Sequence, residues 1–162
     1  VSVPVSLNLK SSAFSDGFPI PVDYTGDGAN ASPPLAWSDP PAGTQSFALV
    51  CDDPDAPHGT FTHWVLYNLP AAARELSPDV RPDFTLSNGA RQGMNDFGRI
   101  GYGGPAPPPG PAHRYFFKLY ALDGVLGLAP GATKQQLLDA MQGRQLAEGR
   151  LVGAYGRQKK GG

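Results

Sequence analysis

A single cysteine, Cys51, means that no disulfide can form within the chain. It sits inside an apolar run, where a small buried side chain is expected rather than a reactive thiol. No apolar stretch approaches the roughly 20 residues needed to cross a bilayer as a helix. Charge is sparse and balanced, 13 Lys and Arg against 14 Asp and Glu, for a formal net charge of −1. That balance removes the electrostatic case for nucleic acid or an anionic membrane surface as partner. Also missing are a Gly-x-Ser-x-Gly elbow, a P-loop, a dinucleotide-binding glycine fingerprint ahead of a helix, and a repeat of fixed period. The first ten residues lack the charged flank and long apolar core of a signal peptide. A cytoplasmic protein is therefore expected, or a periplasmic or secreted one if a leader was removed before Val1.

Turn chemistry is what the chain has in quantity. Its 21 glycines and 18 prolines fall between strong apolar runs, so they mark turns rather than low complexity. With 162 residues, 40% of them apolar, the length suits one domain with a sizeable core. We expect that domain to span 1–157, with 158–162 as a polar tail.

Val1 to Leu9 alternates with the period of two of a half-buried strand. Ser11 to Asp27 reads as loop, its prolines keeping Phe18 to Val22 off a sheet centre. Pro33 and Pro34 hold the next segment extended, with Leu35 and Trp37 on one face. Ser46–Cys51 and Trp64–Leu69 are near-continuous apolar runs, the pattern of strands buried on both faces. Between them lies a rigid acidic loop, Asp52-Asp-Pro-Asp-Ala-Pro57, and His63 opens the second run. A short strand is expected near Phe84 to Leu86, and Tyr115–Leu122 is the strongest strand in the sequence. Thr133 and Gln136 form a capping box for a helix carrying Leu137, Leu138 and Met141, ended by Gly143. A further helical turn is expected at Gln145 to Glu148, then a last strand from Arg150 to Tyr155. The fold class is mainly β, with one or two short helices near the C-terminus.

The polar groups able to converge are Asp53, Asp55, His58, His63, His113, Arg114 and Tyr115. Imidazoles and a phenol can donate to an anion, and a carboxylate beside an imidazole orients it and favours its cation. The loop from Gly103 to Pro108 offers backbone N–H groups at Gly104 and Ala106, the makings of an oxyanion nest. Phosphate, sulfate or carboxylate is the natural guest. Each piece also has a purely structural reading: histidine is common at strand mouths, and Asp-Pro-Asp is often only a turn. A metal site from Asp55, His58 and His63 lacks the helical facing such sites use, so no metal and no cofactor is expected.

Taken in order, Asp53-Pro-Asp-Ala-Pro57, His63 opening a strand, Tyr102-Gly-Gly-Pro-Ala-Pro-Pro108 and His113-Arg-Tyr115 resemble the phosphatidylethanolamine-binding protein family, also called the Raf kinase inhibitor protein family. Asn30–Trp37, Phe61–Asn68 and Asn95–Tyr102 resemble its short bacterial branch. The resemblance runs from about Leu7 to Arg157. It implies a large antiparallel sheet packed on a smaller one, and a small anion pocket at the sheet's end. Asp53, His63, His113 and Tyr115 would line that pocket, Gly104, Ala106 and Pro107 would form its rim, and Pro57 and Trp64 its apolar walls. It further implies non-enzymatic binding of phosphate, phosphoethanolamine or a similar small anion, or alternatively inhibition or scaffolding of a protease or kinase through surface loops. A homodimer is consistent with bacterial relatives, while the protein partner is not identified. A hydrolase using the Asp/His cluster as general base would lack a nucleophile and a metal set. Short bacterial members carry Cys at the positions of Gly26 and Ala106, and longer members carry Gly at 106. The long C-terminal helix of animal members has no counterpart, so kinase inhibition does not carry over.

Overall fold

In the computed structural model, which describes residues 5–157, the strands are Val5–Ser6 (β1), Leu35–Ala36 (β2), Ser46–Asp53 (β3), Phe61–Pro70 (β4), Glu75–Leu76 (β5), Arg91–Gln92 (β6), His113–Leu122 (β7) and Gln145–Tyr155 (β8). One helix, Lys134–Met141 (α1), precedes β8. Six strands form a sheet in the order β1-β8-β7-β3-β4-β6, antiparallel except for β1, which runs parallel to β8. β2 and β5 pair as a small antiparallel sheet. The mainly β architecture, a large sheet with a smaller one, is thus as expected. No helix among the described residues is long and apolar enough to cross a membrane.

β3 explains the layering. All eight of its residues are buried, because both faces of the large sheet are covered. On one face Phe47, Leu49 and Cys51 pack with Trp64, Leu66, Phe117 and Leu119 beneath the small sheet and the N-terminal segment. On the other, Ala48, Val50, Val65 and Tyr67 meet Leu137 and Met141 of α1, with Leu126 and Ala132 of the loop before it. Continuous apolarity in the two central strands is the consequence. α1 has its capping box: the Gln136 N–H donates to Thr133 Oγ1 at 3.2 Å, and Gln136 Oε1 accepts the Thr133 N–H at 2.9 Å. Leu137 and Met141 point fully into the core, whereas Leu138 is half-buried at its margin.

Three expectations are corrected. Gln145–Glu148 is the start of β8 rather than a helical turn, because β7 runs on to Leu122 and its ladder takes up Gln145, Ala147 and Glu148. Phe84–Leu86 forms no strand; Thr85 makes one bridge to Arg91, since Pro82 and the turn at Gly89 leave no length for a ladder. Among the described residues of the expected N-terminal strand only Val5–Ser6 forms a ladder, although Leu7 and Leu9 continue the buried alternation. Residues 1–4 of that expected strand and the expected tail at 158–162 lie outside the described residues. β3, β4 and β7 all extend beyond their apolar runs, to Asp53, from Phe61 and from His113, and so carry polar residues to one end of the sheet.

β4 breaks register with β3 twice. Phe47 pairs Leu69 and Leu49 pairs Leu66, so β4 spends one extra residue near Asn68, whose φ is 57°. The Asn68 amide uses this position to clasp the Leu126 backbone, accepting its N–H at 2.8 Å and donating to its carbonyl at 2.9 Å. Nearer the acidic loop, Cys51 pairs Trp64 while Asp52 pairs Thr62, which leaves His63 as the unpaired residue of a bulge.

Because the cap satisfies two backbone donors at the entry to α1, Thr133→Ala should lower stability by about 1 kcal/mol. The expected reading is a reduced urea midpoint with unchanged slope; an unchanged midpoint would show the cap to be dispensable.

Candidate functional site

Period-two alternation places Asp53 of β3 and His113 and Tyr115 of β7 on the same face of the sheet. The bulge brings His63 to that face beside Trp64, and its ring stands edge-on to Tyr115 with centroids 5.1 Å apart. Asp53 is only 3% exposed and both its oxygens are used. Oδ2 accepts from His113 Nδ1 at 2.7 Å, and Oδ1 accepts the Asp55 N–H at 2.8 Å. Asp55 in turn grips Arg114, taking bonds from Nε at 3.0 Å, Nη2 at 2.9 Å and the backbone N–H at 2.9 Å. Those hydrogen bonds hold the Asp55 carboxyl down at about 2. The acidic loop is therefore stitched to the first two residues of β7. Asp52 faces the opposite layer, accepting from Thr62 Oγ1 at 2.9 Å and Lys134 Nζ at 2.7 Å.

His63 Nδ1 lies 2.6 Å from the Gly103 carbonyl, which can only accept, so Nδ1 carries a proton. Gly103 returns a bond from its N–H to the His63 carbonyl at 3.0 Å. Burial pushes the His63 pKa down, and this outweighs the Gly103 hydrogen bond and the nearby acids that favour the cation. In the neutral ring Nε2 is then an acceptor. His113 also uses Nδ1 within the protein, toward Asp53, so Nε2 is the uncommitted nitrogen of both rings. Burial, followed by the charge of Asp53, pushes the Tyr115 phenol up well beyond its ordinary value, so it stays protonated as a donor.

These groups open into a cleft of about 140 Å³. Of the nine residues expected at the site, Asp53, Pro57, His63, Ala106, Pro107, His113 and Tyr115 line it. Trp64 does not: it is fully buried, its indole N–H donates to Gln92 at 2.8 Å, and its ring stands edge-on to Tyr102. Gly104 does not either. Its N–H donates to Asn30 Oδ1 at 2.7 Å, so it offers nothing to an anion in this cleft. A Cβ there would come within 2.5 Å of that same oxygen and 2.6 Å of the Tyr24 carbonyl, so glycine is required by close packing. His58 is exposed and outside the cleft, and Asp55 is held by Arg114, so the Asp55, His58, His63 set does not assemble. Among the described residues no group of three or more His, Cys, Asp or Glu could hold a metal ion.

Sequence reasoning missed Ala56, Phe61, Phe97 and Pro108. Phe61 had a signal, since it sits at i−2 from His63 and pairs with Asp53. Phe97 had a weaker one: an aromatic in a turn, 41% exposed, on a loop whose Asn95 Oδ1 accepts the N–H groups of Phe97 and Arg99.

The model of the phosphatidylethanolamine-binding protein family matches residues 10–156. The chain belongs to this family. Among its relatives are UPF0098 proteins of Methanothermobacter thermautotrophicus, 52% identical over 151 residues (93% of this chain, 99% of the relative), and of Aquifex aeolicus, 51% identical over 153 residues (93% and 89%). Similar solved structures include a phosphatidylethanolamine-binding protein homologue from Chlamydia trachomatis, with TM-score 0.86, 41% identity and coverage of 94% and 99%. Another is E. coli YbcL, described as a new member of the mammalian phosphatidylethanolamine-binding protein family, with TM-score 0.88, 33% identity and coverage of 95% and 100%.

Within this family setting, Gly26 and Ala106 prove to be neighbours. A Cβ on Gly26 would lie 3.2 Å from that of Ala106, and the Gly26 N–H donates to the Pro105 carbonyl at 2.8 Å. Cysteines at both positions need only a few tenths of an ångström to reach disulfide spacing. The doubly substituted chain, Gly26→Cys with Ala106→Cys, should oxidise in air and then titrate a single thiol when denatured, that of Cys51. Three thiols would show the two loops to be held apart.

The lowered His63 pKa also links stability to pH. The unfolded chain binds more protons than the folded one below the ordinary histidine range, so the contribution is complete above about pH 6.5. It is lost as pH falls from there through the folded value. In ligand-free protein the urea midpoint should decline as pH falls below about 6.5, and His63→Gln should flatten that decline. An identical decline in the variant would assign the effect to another group.

Proposed function

We propose that the chain is a non-enzymatic binding protein whose cleft takes a phosphate-type anion, free or as a phosphoethanolamine head group. The observation that carries this reading is the pair of buried Asp53 and half-buried His113 facing His63 and the protonated Tyr115 across a cleft otherwise walled by Pro, Ala and Phe. Drug-sized ligands occupy pockets of about 300–1,000 Å³. At about 140 Å³ this cleft suits a head group. Tyr115 donates to one anion oxygen. Each Nε2 can donate only if its ring is protonated, or can accept from a phosphate P–OH. Either way the complex holds one proton more than two neutral rings and a dianion carry together, and that proton offsets the repulsion from Asp53. Apolar walls lower the local dielectric and strengthen each of these bonds.

The lining also supports binding over turnover. It contains no Ser, Thr, Cys or Lys to serve as nucleophile. Cys51 is fully buried in β3, and burial pushes its thiol pKa well up, which removes thiolate chemistry.

Titration calorimetry with inorganic phosphate and phosphoethanolamine at about pH 6 and pH 8 tests the proposal. Affinity should fall about tenfold per pH unit once the required proton must be taken from solvent, and His113→Ala should abolish binding. Equal binding by the wild type and the variant would remove the cleft from the function.

A further inference from the structure

Ala106, Pro107 and Pro108 form one wall of the cleft, yet the segment they belong to cannot fix its own position. Four of the five residues from Pro105 to Pro109 are prolines, so almost no backbone N–H is left there to join a ladder. Residues 102–108 accordingly belong to no helix or strand. The wall is held from outside, at both of its ends.

Upstream, the holder is the loop 24–30. The Tyr102 hydroxyl donates to the Tyr24 carbonyl at 2.6 Å, the Gly26 N–H donates to the Pro105 carbonyl at 2.8 Å, and Asn30 takes the Gly104 N–H. Downstream, the holder is the chain just past β8. The Gly110 N–H donates to the Arg157 carbonyl at 3.0 Å, and Pro109 bridges Arg157. Asp27 joins the two holders. A tight turn presents it, with the Asp27 N–H donating to Thr25 Oγ1 at 3.2 Å. Its Oδ1 accepts from Arg157 Nη2 at 2.7 Å, and its Oδ2 accepts from the Tyr155 hydroxyl at 2.6 Å. Arg157 Nε lies 3.0 Å from both oxygens. Arg157 thus holds one end of the wall with its backbone and, through Asp27, the other end with its side chain. Neither Asp27 nor Arg157 lines the cleft itself.

We propose that Asp27 and Arg157 form a clasp that positions the proline wall, which makes Arg157 a positioning residue for the anion in the cleft. The proposal rests on the reading of the cleft as an anion site. Its rival is a plain charge effect. The Arg157 charge reaches the Tyr115 phenol, opposing the burial and the Asp53 charge that push that phenol up. A cation so placed would attract an anion without touching the wall. The two roles differ in sign at Asp27. A clasp needs both partners, whereas a bare cation attracts an anion more strongly once its carboxylate is gone. The two side chains are 35% and 33% exposed, so solvent screens the pair and the effect is a few-fold.

Titration calorimetry with inorganic phosphate tests the clasp. Asp27→Asn and Arg157→Gln should each weaken binding about fivefold. The double variant should be no weaker than either single one, because the same interaction is removed in all three. Arg157→Lys keeps the charge and one bond to Asp27. It should bind more tightly than Arg157→Gln when Asp27 is present, and no more tightly in the Asp27→Asn chain. Misfolded protein lowers the calorimetric stoichiometry and leaves the Kd of the folded fraction readable. Phosphate binding by Asp27→Asn as tight as the wild type's, or tighter, overturns the clasp alone. No binding of phosphate by the wild type overturns the cleft reading and the clasp together.

Discussion

Asp52 and Asp53 stand side by side on a strand that is covered on both faces, and alternation sends their carboxylates into opposite layers. Neither can be left unpaired, because removing one partner from a buried charge typically costs about 3–5 kcal/mol. Each layer therefore supplies its own partners. On the helix side Lys134 and Thr62 meet Asp52, which ties the first turn of α1 to the centre of the sheet. On the cleft side His113 and the Asp55 N–H meet Asp53, which ties the acidic loop to β7. The site and the helix are two answers to one constraint.

Much of this layering was readable from the chain. Apolar runs without alternation gave β3 and β4 their double burial, and the Thr133/Gln136 pair gave the helix its start. What was not readable depended on partners distant in sequence. Gly104 was expected to offer its N–H to an anion, but that amide is taken by Asn30, 74 residues away. Gln145 to Glu148 has a local pattern open to helix, and only the length of β7 decides that it pairs as strand. Trp64 adjoins His63 in sequence and shares its face, yet the indole turns toward Gln92 in the core. The bulge between them exists only relative to β3, so no periodicity within β4 reveals it.

The site holds its two imidazoles in different ways. His113 is oriented by a carboxylate, whereas His63 is oriented by a carbonyl in a buried, aromatic setting that disfavours its cation. Folding therefore prefers His63 neutral, while an anionic guest prefers a proton nearby. Phe61, Phe97 and Tyr115 pack around the His63 ring edge-on, so its position is set before any ligand arrives. Preorganisation of this kind lowers the ordering cost of binding.

The bulge at His63 has a consequence at the level of the gene. Thr62 pairs with Asp52 and Trp64 with Cys51, so the ladder closes without counting the residue between them. Losing that one codon would remove the imidazole and leave a regular ladder with the same strand neighbours. Losing a neighbouring codon would instead shift which residues face the core. The His63 imidazole is thus written into the fold as a one-residue insertion between two paired positions.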